Sequence, residues 1–292
     1  MLVMMGATGQ VGGAALEALK RRGVTVRAIA RDPERARHLG GPGIGIVPGE
    51  ATDTASLVAA FQGAEAAFVM LAPPMQAADV LAESRVAAQS IASAIRAARV
   101  PHVVALSSAG AGLAEGNGIV RTLHDFEQAL AGAAPSLVFL RPGDFIENWA
   151  AMLPAVRAAG VLPSAKLPLD GAGETVSALD VGRTVAELLL DPRPGARIVN
   201  LTGPKDYSPA DAAAALSELL GKPVMAVPSS RDETIAALQA SGASADYAAK
   251  LADLTDAVNA GRLRLEAGEG EMRRGTVTLK EALQRLVSAG RP

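Results

Sequence analysis

Three glycines stand three residues apart near the start of the sequence, in Gly6-Ala7-Thr8-Gly9-Gln10-Val11-Gly12. Between a strand and a helix, such a loop lets the chain turn tightly, lets its backbone approach a pyrophosphate and lets the helix pack closely on the strand. The N–H groups that open the helix then attract the phosphates. The spacing predicts a dinucleotide site, with a tight turn that binds nothing as the alternative. The predicted contacts are Gly6, Thr8, Gly9, Gln10, Val11 and Gly12.

The residues after the second predicted strand carry the charges that would select the nucleotide. They read Arg31-Asp32-Pro33-Glu34-Arg35, at a place where an acidic side chain would accept hydrogen bonds from the ribose of NAD. A guanidinium there can bind a 2′-phosphate through planar, charge-assisted contacts. We therefore expect NADP(H) to be preferred over NAD(H), with Arg31 as the principal contact and Arg35 as a helper. Asp32 could instead serve a ribose, and both arginines could be solvated charges at a helix start.

Two further segments extend the predicted nucleotide site. Glu50 follows the third predicted strand and could accept a hydrogen bond from an adenine amino group, whereas Asp53 is expected to cap the helix that begins at Thr54. Leu71, Ala72 and Pro73 end the fourth predicted strand, and their backbone is expected to run beside the ribose and the diphosphate. The prolines there could equally be simple strand terminators.

The elements that must position these residues follow from hydrophobic periodicity. Short apolar runs alternate with longer helical patterns, which predicts a doubly wound parallel α/β sheet of the Rossmann type. The predicted strands lie near 2–5, 24–29, 44–47, 66–71, 103–107, 137–140 and 197–201. The predicted helices lie near 10–22, 54–61, 78–99, 119–132 and 179–190.

The chain is expected to divide into two parts. Residues 1–145 with about 176–203 form the predicted dinucleotide-binding domain, and about 146–175 with 204–292 form a smaller, mostly helical lobe for a substrate or partner. Within that lobe the pattern offers one short strand candidate, Pro223 to Val227, and a Gly/Arg-rich connection from Gly268 to Gly275.

Composition excludes several classes of function. Of the 292 residues, 28 are basic and 30 are acidic, without a basic block, and only 3% are aromatic, so nucleic acid is not an expected partner. Cysteine is absent, which excludes disulfides, a thiolate nucleophile and Cys-ligated metals, and no metal site is expected. No apolar stretch has the length of a signal or membrane helix, so we expect a cytoplasmic protein without a membrane partner.

Several segments together resemble the NmrA-like family of atypical short-chain dehydrogenases/reductases. They are GATGQVG, RDPERA, VVALSSAGA at 103–111, LHDFEQAL at 123–130, LVFLRPGDFIENW at 137–149 and ALDVGRTVAELL near 178–189. The resemblance implies either an NADPH-dependent quinone or dye reductase, or an NAD(P)-sensing regulator. It also implies that Phe145, Asn148 and Trp149 line a substrate cleft. Trp149 could stack on a flat acceptor, although packing is the more usual role of a tryptophan at a lobe junction.

The Tyr-x-x-x-Lys pair of Tyr-dependent short-chain dehydrogenases is missing. The only tyrosines are Tyr207 and Tyr247, and no lysine occurs between Lys20 and Lys166. The chemistry that remains is hydride transfer to an acceptor that needs little help with protons. Ser107 and Ser108 end the fifth predicted strand and could bind the nicotinamide or the acceptor.

His124 is the side chain on the following predicted helix with a pKa suited to proton delivery near neutral pH. It could equally be a surface residue, or be bonded to a carboxylate such as Glu127.

Two functions from different classes stay open. The first is an NADPH-dependent reductase whose partner is a small-molecule acceptor, for instance a quinone. The second is a sensor of the nicotinamide ratio that acts on a protein partner, for which the missing Tyr/Lys pair is evidence. An epimerase would need the absent tyrosine. The helices near 78–99 and 119–132 could also form a homodimer face, or a buried layer.

Overall fold

The computed structural model describes residues 1–265 and 269–289, with an eight-stranded parallel sheet at its centre. The strands are β1 Leu2–Met4, β2 Val26–Ala30, β3 Ile44–Pro48, β4 Ala66–Met70, β5 His102–Leu106, β6 Ser136–Pro142, β7 Asp144–Phe145, β8 Val161–Ser164, β9 Thr175–Val176, β10 Gly195–Thr202, β11 Met225–Pro228 and β12 Glu271–Arg274. The main sheet has the order β12-β10-β6-β5-β4-β1-β2-β3. Because β1 pairs with both β2 and β4, the strand order reverses beside β1, where doubly wound folds bind their ligands.

Helices cover both faces of this sheet. They are α1 Gln10–Arg21, α2 Pro33–Ala36, α3 Thr54–Phe61, α4 Val80–Ala98, α5 Arg121–Leu130, α6 Leu153–Ala159, α7 Ala178–Leu189, α8 Pro209–Leu220, α9 Arg231–Ala240, α10 Ala245–Asn259 and α11 Leu279–Ala289. One face buries Val104 and Val138 beneath α1 and α7, and the other buries Val103 and Leu137 beneath α3, α4 and α5. Each strand and helix predicted from periodicity is confirmed with slightly shifted ends, as is the predicted fold class.

One strand of the main sheet is not in the sequence prediction. β12 pairs in parallel with β10, although its residues belong to the stretch assigned to the small lobe as a connection. Its sequence, Glu-Met-Arg-Arg, lacks the apolar run of a buried strand because β12 lies at the edge of the sheet. Gly268, the predicted start of that connection, lies outside the described residues.

A third apolar cluster lies apart from the main sheet. Ile146, Trp149 and Leu153 pack with Leu216 of α8 and Leu283 of α11. The strand candidate at 223–227 is confirmed as β11, which pairs with β8. The division of the chain into two domains stays a prediction. In that division, this cluster would be the core of the smaller domain.

Helix α10 crosses the loops that follow β4 and β5. Tyr247, Leu251 and Leu254 pack on a small buried cluster formed by Ala77, Val80 and Ile119. At the other end of α10, the side chain of Asn259 binds the backbone of the segment that follows β8. Helix α10 therefore links the loops that follow β4 and β5 to the segment that follows β8.

Candidate functional site

The glycine loop joins β1 to α1 as the spacing predicts. Gly6 has φ +67°, a left-handed conformation that favours glycine, and its carbonyl accepts a hydrogen bond from the Gly9 N–H at 3.0 Å. A Cβ on Gly12 would lie 2.1 Å from the Gly6 oxygen, so the helix can approach the loop this closely only without a side chain there. Gly9 directly precedes helix α1. No side chain caps the first turn of this helix, and no acidic residue lies in that turn.

Exposure divides the loop into a part that faces solvent and a part that packs against the sheet. Thr8, Gly9 and Gln10 are exposed, whereas Val11 and Gly12 are buried against the sheet. The start of α1 therefore presents uncapped amides and the positive end of the helix dipole to solvent. This arrangement suits a diphosphate.

Some of the charged side chains after β2 cap or pair within the next helix, and the others face solvent. Oδ1 of Asp32 accepts hydrogen bonds from the N–H groups of Glu34 and Arg35 at 3.1 and 3.2 Å, which caps α2. Arg37 pairs with Glu34. Within the part of the chain that the structure describes, the guanidinium groups of Arg31 and Arg35 are exposed and have no hydrogen-bonding partner. Two cationic groups are thus available at the carboxyl end of β2.

The other residues predicted to contact a nucleotide lie after β3 and β4. Glu50 is exposed, and its Oε1 accepts a hydrogen bond from the neighbouring Ala51 N–H at 2.9 Å. Asp53 caps α3 through the N–H groups of Ala55 and Ser56, as predicted. After β4, Leu71 is buried, Ala72 is exposed and Pro73 is half-buried.

Ser107 belongs to a buried polar network. Its hydroxyl donates to Oε1 of Glu127 at 2.5 Å, and Arg141 donates to both oxygens of Glu127, at 2.9 and 2.7 Å. Arg141 also donates to Glu269 at 2.9 Å. Burial lowers the pKa of Arg141, but its bonds to Glu127 and Glu269 outweigh this effect and raise the pKa overall. Because the Ser107 proton is committed to Glu127, only the oxygen of Ser107 can serve a ligand, as an acceptor. The neighbouring Ser108 is half-buried.

His124 lies half-buried on α5, one turn before Glu127. Its Nδ1 is 2.9 Å from the carbonyl oxygen of Ala111, whereas the two carboxylate oxygens of Glu127 bind Ser107 and Arg141. A carbonyl can only accept, which makes Nδ1 the donor and leaves Nε2 as the acceptor of the neutral ring.

The three residues predicted to contact a substrate have different environments. Phe145 is half-buried beside the core that contains Ala7 and Val11, and Asn148 is exposed and donates to Oδ1 of Asp144 at 2.8 Å. Trp149 is only 7% exposed inside the third cluster, which favours packing over stacking on an acceptor.

Two contacts near the carboxyl end of β6 escape the sequence analysis. Arg141 and Glu127 form the buried pair described above, and Lys166 forms an ion pair with Asp144. A buried strand that ends in an arginine is a signal for the first pair, since such a charge needs a partner. No local pattern brings Lys166 to Asp144.

No group of three or more His, Cys, Asp or Glu side chains in residues 1–265 and 269–289 is placed to hold a metal ion. No helix in that part of the chain is long and apolar enough to cross a membrane.

Comparison with known proteins places these features in a family. A model described as the NmrA-like family matches residues 1–255. A (4-alkanoyl-5-oxo-2,5-dihydrofuran-3-yl)methyl phosphate reductase of Streptomyces griseus is 30% identical over 77% of this chain and 75% of its own length. An NAD(P)H azoreductase of Xenophilus azovorans is 27% identical over the same shares of the two chains.

A solved structure extends the similarity over nearly the whole chain. It is an NADPH-dependent quinone oxidoreductase from Escherichia coli in complex with NADPH, with a TM-score of 0.81 and 25% identity. The match covers 98% of this chain and 100% of that one.

Proposed function

The chain belongs to the NmrA-like family, and on that premise we propose that it is an NADPH-dependent reductase of a quinone-like or other conjugated acceptor. The observation that carries the proposal is the uncapped, glycine-lined start of α1 at the point where the strand order reverses. The relatives support the choice of reaction, since they are named as reductases of an unsaturated lactone phosphate, of azo compounds and of quinones.

The proposed nucleotide site runs across the carboxyl ends of the strands. Gly6, Thr8, Gly9 and Gln10 would hold the diphosphate with the amides of the loop and of the first helical turn, while Val11 and Gly12 pack the helix against the strand. Glu50 and the residues 71–73 would border the adenine and the ribose-diphosphate.

Preference for NADP(H) over NAD(H) is part of this proposal. Asp32, the carboxylate that could accept from a ribose, already caps α2, whereas Arg31 and Arg35 expose guanidinium groups. A 2′-phosphate would therefore meet two cations, beside a carboxylate that uses one of its oxygens to cap the helix.

The residues of the chain position the reactants. When bound, the reduced nicotinamide supplies the hydride. Phe145 and Asn148 would border the acceptor, and Ser107 and Ser108 would lie beneath the nicotinamide at the end of β5. His124 would deliver or relay a proton through Nε2, because Nδ1 is held by the Ala111 carbonyl. A quinone needs no tyrosine, since water can protonate its reduced form.

The test is oxidation of NADPH by the purified protein, followed at the nicotinamide absorbance across a panel of quinones, azo dyes and cationic dyes. We expect turnover with at least one conjugated acceptor and none with simple alcohols or ketones. Nucleotide binding should be measured on the same material by calorimetry. Tight binding of NADPH without oxidation by any acceptor would favour the alternative, a sensor of the nicotinamide ratio with a protein partner. Failure to bind either nucleotide would reject both.

A further inference from the structure

Lys166 and Asp144 form an ion pair just beyond the end of β6. Asp144 lies two residues beyond the end of β6, and the carbonyl of Pro142 accepts a hydrogen bond from the N–H of Ala109 at 3.0 Å. The end of β6, just before the ion pair of Lys166 and Asp144, therefore contacts the segment that follows Ser107 and Ser108. Each of the paired side chains is 33% exposed, so the pair is open to a ligand.

The ion pair of Lys166 and Asp144 is neutral overall, and it leaves N–H donors of the lysine free. One oxygen of Asp144 binds Lys166 and the other accepts from Asn148 at 2.8 Å, so both carboxylate oxygens have a partner. An ammonium group has three N–H donors. Lys166 thus retains N–H groups for a third partner.

The side chains of Asn259 and Ser164 hold the backbone around Lys166. Asn259, the last residue of α10, accepts from the N–H of Leu167 at 2.9 Å and donates to the carbonyl of Ala165 at 2.9 Å. The N–H of Lys166 itself donates to Oγ of Ser164 at 3.1 Å. These bonds fix the peptide groups on both sides of the lysine, which reduces the entropy lost when its ammonium meets a ligand.

We infer that Lys166, held by Asp144 and positioned by Asn259, binds the acceptor's carbonyl oxygen and supplies its proton. This inference rests on the proposed reductase function and narrows the substrate to conjugated carbonyl acceptors of the quinone type, whose oxygen becomes an oxyanion. For such an acceptor Lys166 replaces His124 as the proton donor, and it takes the part for which the sequence offers neither a tyrosine nor a lysine on α5.

The step needs no reactant beyond the reduced nucleotide, the acceptor and water. A C–H bond of the reduced nicotinamide breaks and its hydride forms a bond to the acceptor, which is reduced while the nicotinamide is oxidised. The electron pair that the arriving hydride displaces moves to the carbonyl oxygen of the acceptor. That oxygen takes a proton from Nζ of Lys166, and the resulting amine regains a proton from water. A cationic dye becomes a neutral product on accepting a hydride, so its reduction develops no negative charge for the lysine to stabilise.

The test compares Lys166→Met with Lys166→Arg and with Lys20→Met. Lys20 is an exposed residue at the end of α1 and serves as the matched control. We expect Lys166→Met to lower kcat/KM for benzoquinone by about a hundredfold and not to lower it for a cationic triphenylmethane dye, which a lysine does not help to bind or protonate. Lys20→Met should leave both rates unchanged. Asn259→Ala, which keeps the lysine but frees its backbone, should lower only the quinone rate, and by less.

A binding measurement decides the inference independently of turnover. Nitrophenolate imitates the oxyanion, and its affinity for the NADP⁺-saturated protein is measured by calorimetry. Lys166→Met should weaken it about tenfold or more, while Lys166→Arg retains it, because a charged hydrogen bond is lost in the first variant only. Equal nitrophenolate affinity in wild type and Lys166→Met, or no nitrophenolate binding by the wild type, would overturn the inference. Absence of turnover by the wild type with every acceptor would instead reject the proposed function.

Discussion

Arg141 holds Glu127 with two of its nitrogen atoms, at 2.9 and 2.7 Å, and both side chains are only 7% exposed. The pair joins the end of β6 to α5 beneath the candidate site. Its two parallel bonds fix the geometry of the carboxylate, which in turn fixes the hydroxyl of Ser107.

Removing Arg141 should leave a buried carboxylate without a counter-charge. We expect Arg141→Met to lower the free energy of unfolding by about 3–5 kcal/mol, as measured by urea denaturation. Adding Glu127→Gln should recover part of this loss, because the double variant buries no unpaired charge. A loss for Arg141→Met that is no larger than that of an exposed ion pair, about 1 kcal/mol or less, would contradict this account.

The close contact between the glycine loop and α1 makes a second prediction. Gly12→Ala puts a methyl group 2.1 Å from the Gly6 oxygen, whereas Gly13→Ala meets only the Ala7 oxygen at 3.5 Å. Gly12→Ala should therefore displace the loop, at a cost of about 1–3 kcal/mol in stability, and abolish measurable NADPH binding. Gly13→Ala is the matched control in the same helical turn and should bind NADPH normally. Equal NADPH affinities in the two variants would show that the packing of the loop does not govern binding.

The free guanidinium of Arg31 should determine nucleotide choice. We expect Arg31→Ala to raise the Kd for NADPH about tenfold or more and to leave the Kd for NADH unchanged, because only NADPH loses a charged hydrogen bond. Arg37→Ala is the control, since Arg37 is equally exposed but already pairs with Glu34. The measurement is titration of each protein with both nucleotides. Unchanged discrimination in Arg31→Ala would remove the assignment.

The environment of Asp125 predicts how the stability of the protein changes at acidic pH. Burial raises the pKa of its carboxyl, but hydrogen bonds from Arg121 and Arg85 together with their charges outweigh this effect and hold the pKa below its usual value of 3.8. Since the pKa is lower in the folded state than in the unfolded state, these contacts stabilise the protein above that value. The stabilisation is lost as pH falls through the folded pKa.

The corresponding experiment compares wild type with Asp125→Asn. The variant should be less stable near neutral pH by about 1 kcal/mol, because both arginines are partly exposed and solvent screens the contacts. The difference should shrink as the pH falls below 3.8. A stability difference that stays constant across that range would mean that the arginines do not shift the titration of Asp125.

The features predicted correctly from the sequence are local ones. The turn at Gly6, the helix that starts after Gly9 and the cap at Asp53 each depend on a few adjacent residues, and buried parallel strands such as β5 have continuous apolar runs. The contacts that escaped prediction join distant positions. Lys166 reaches Asp144 across 22 residues, and Arg141 reaches Glu269 across 128.

Trp149 shows a different limit of the sequence analysis. Its type suits both stacking on a flat ligand and burial, and only the third cluster, to which α8 and α11 contribute, decides between them. Nothing in the residues around Trp149 indicates that those helices come from the last third of the chain.

The position of β12 has a consequence for how the protein is made. The ribosome must have added more than 270 residues before β12 can join β10. Until then β10 exposes an unpaired edge, to which a second nascent chain could add a strand. Conditions that slow translation between β10 and β12 should therefore favour co-aggregation of nascent chains, even though the finished molecule covers that edge.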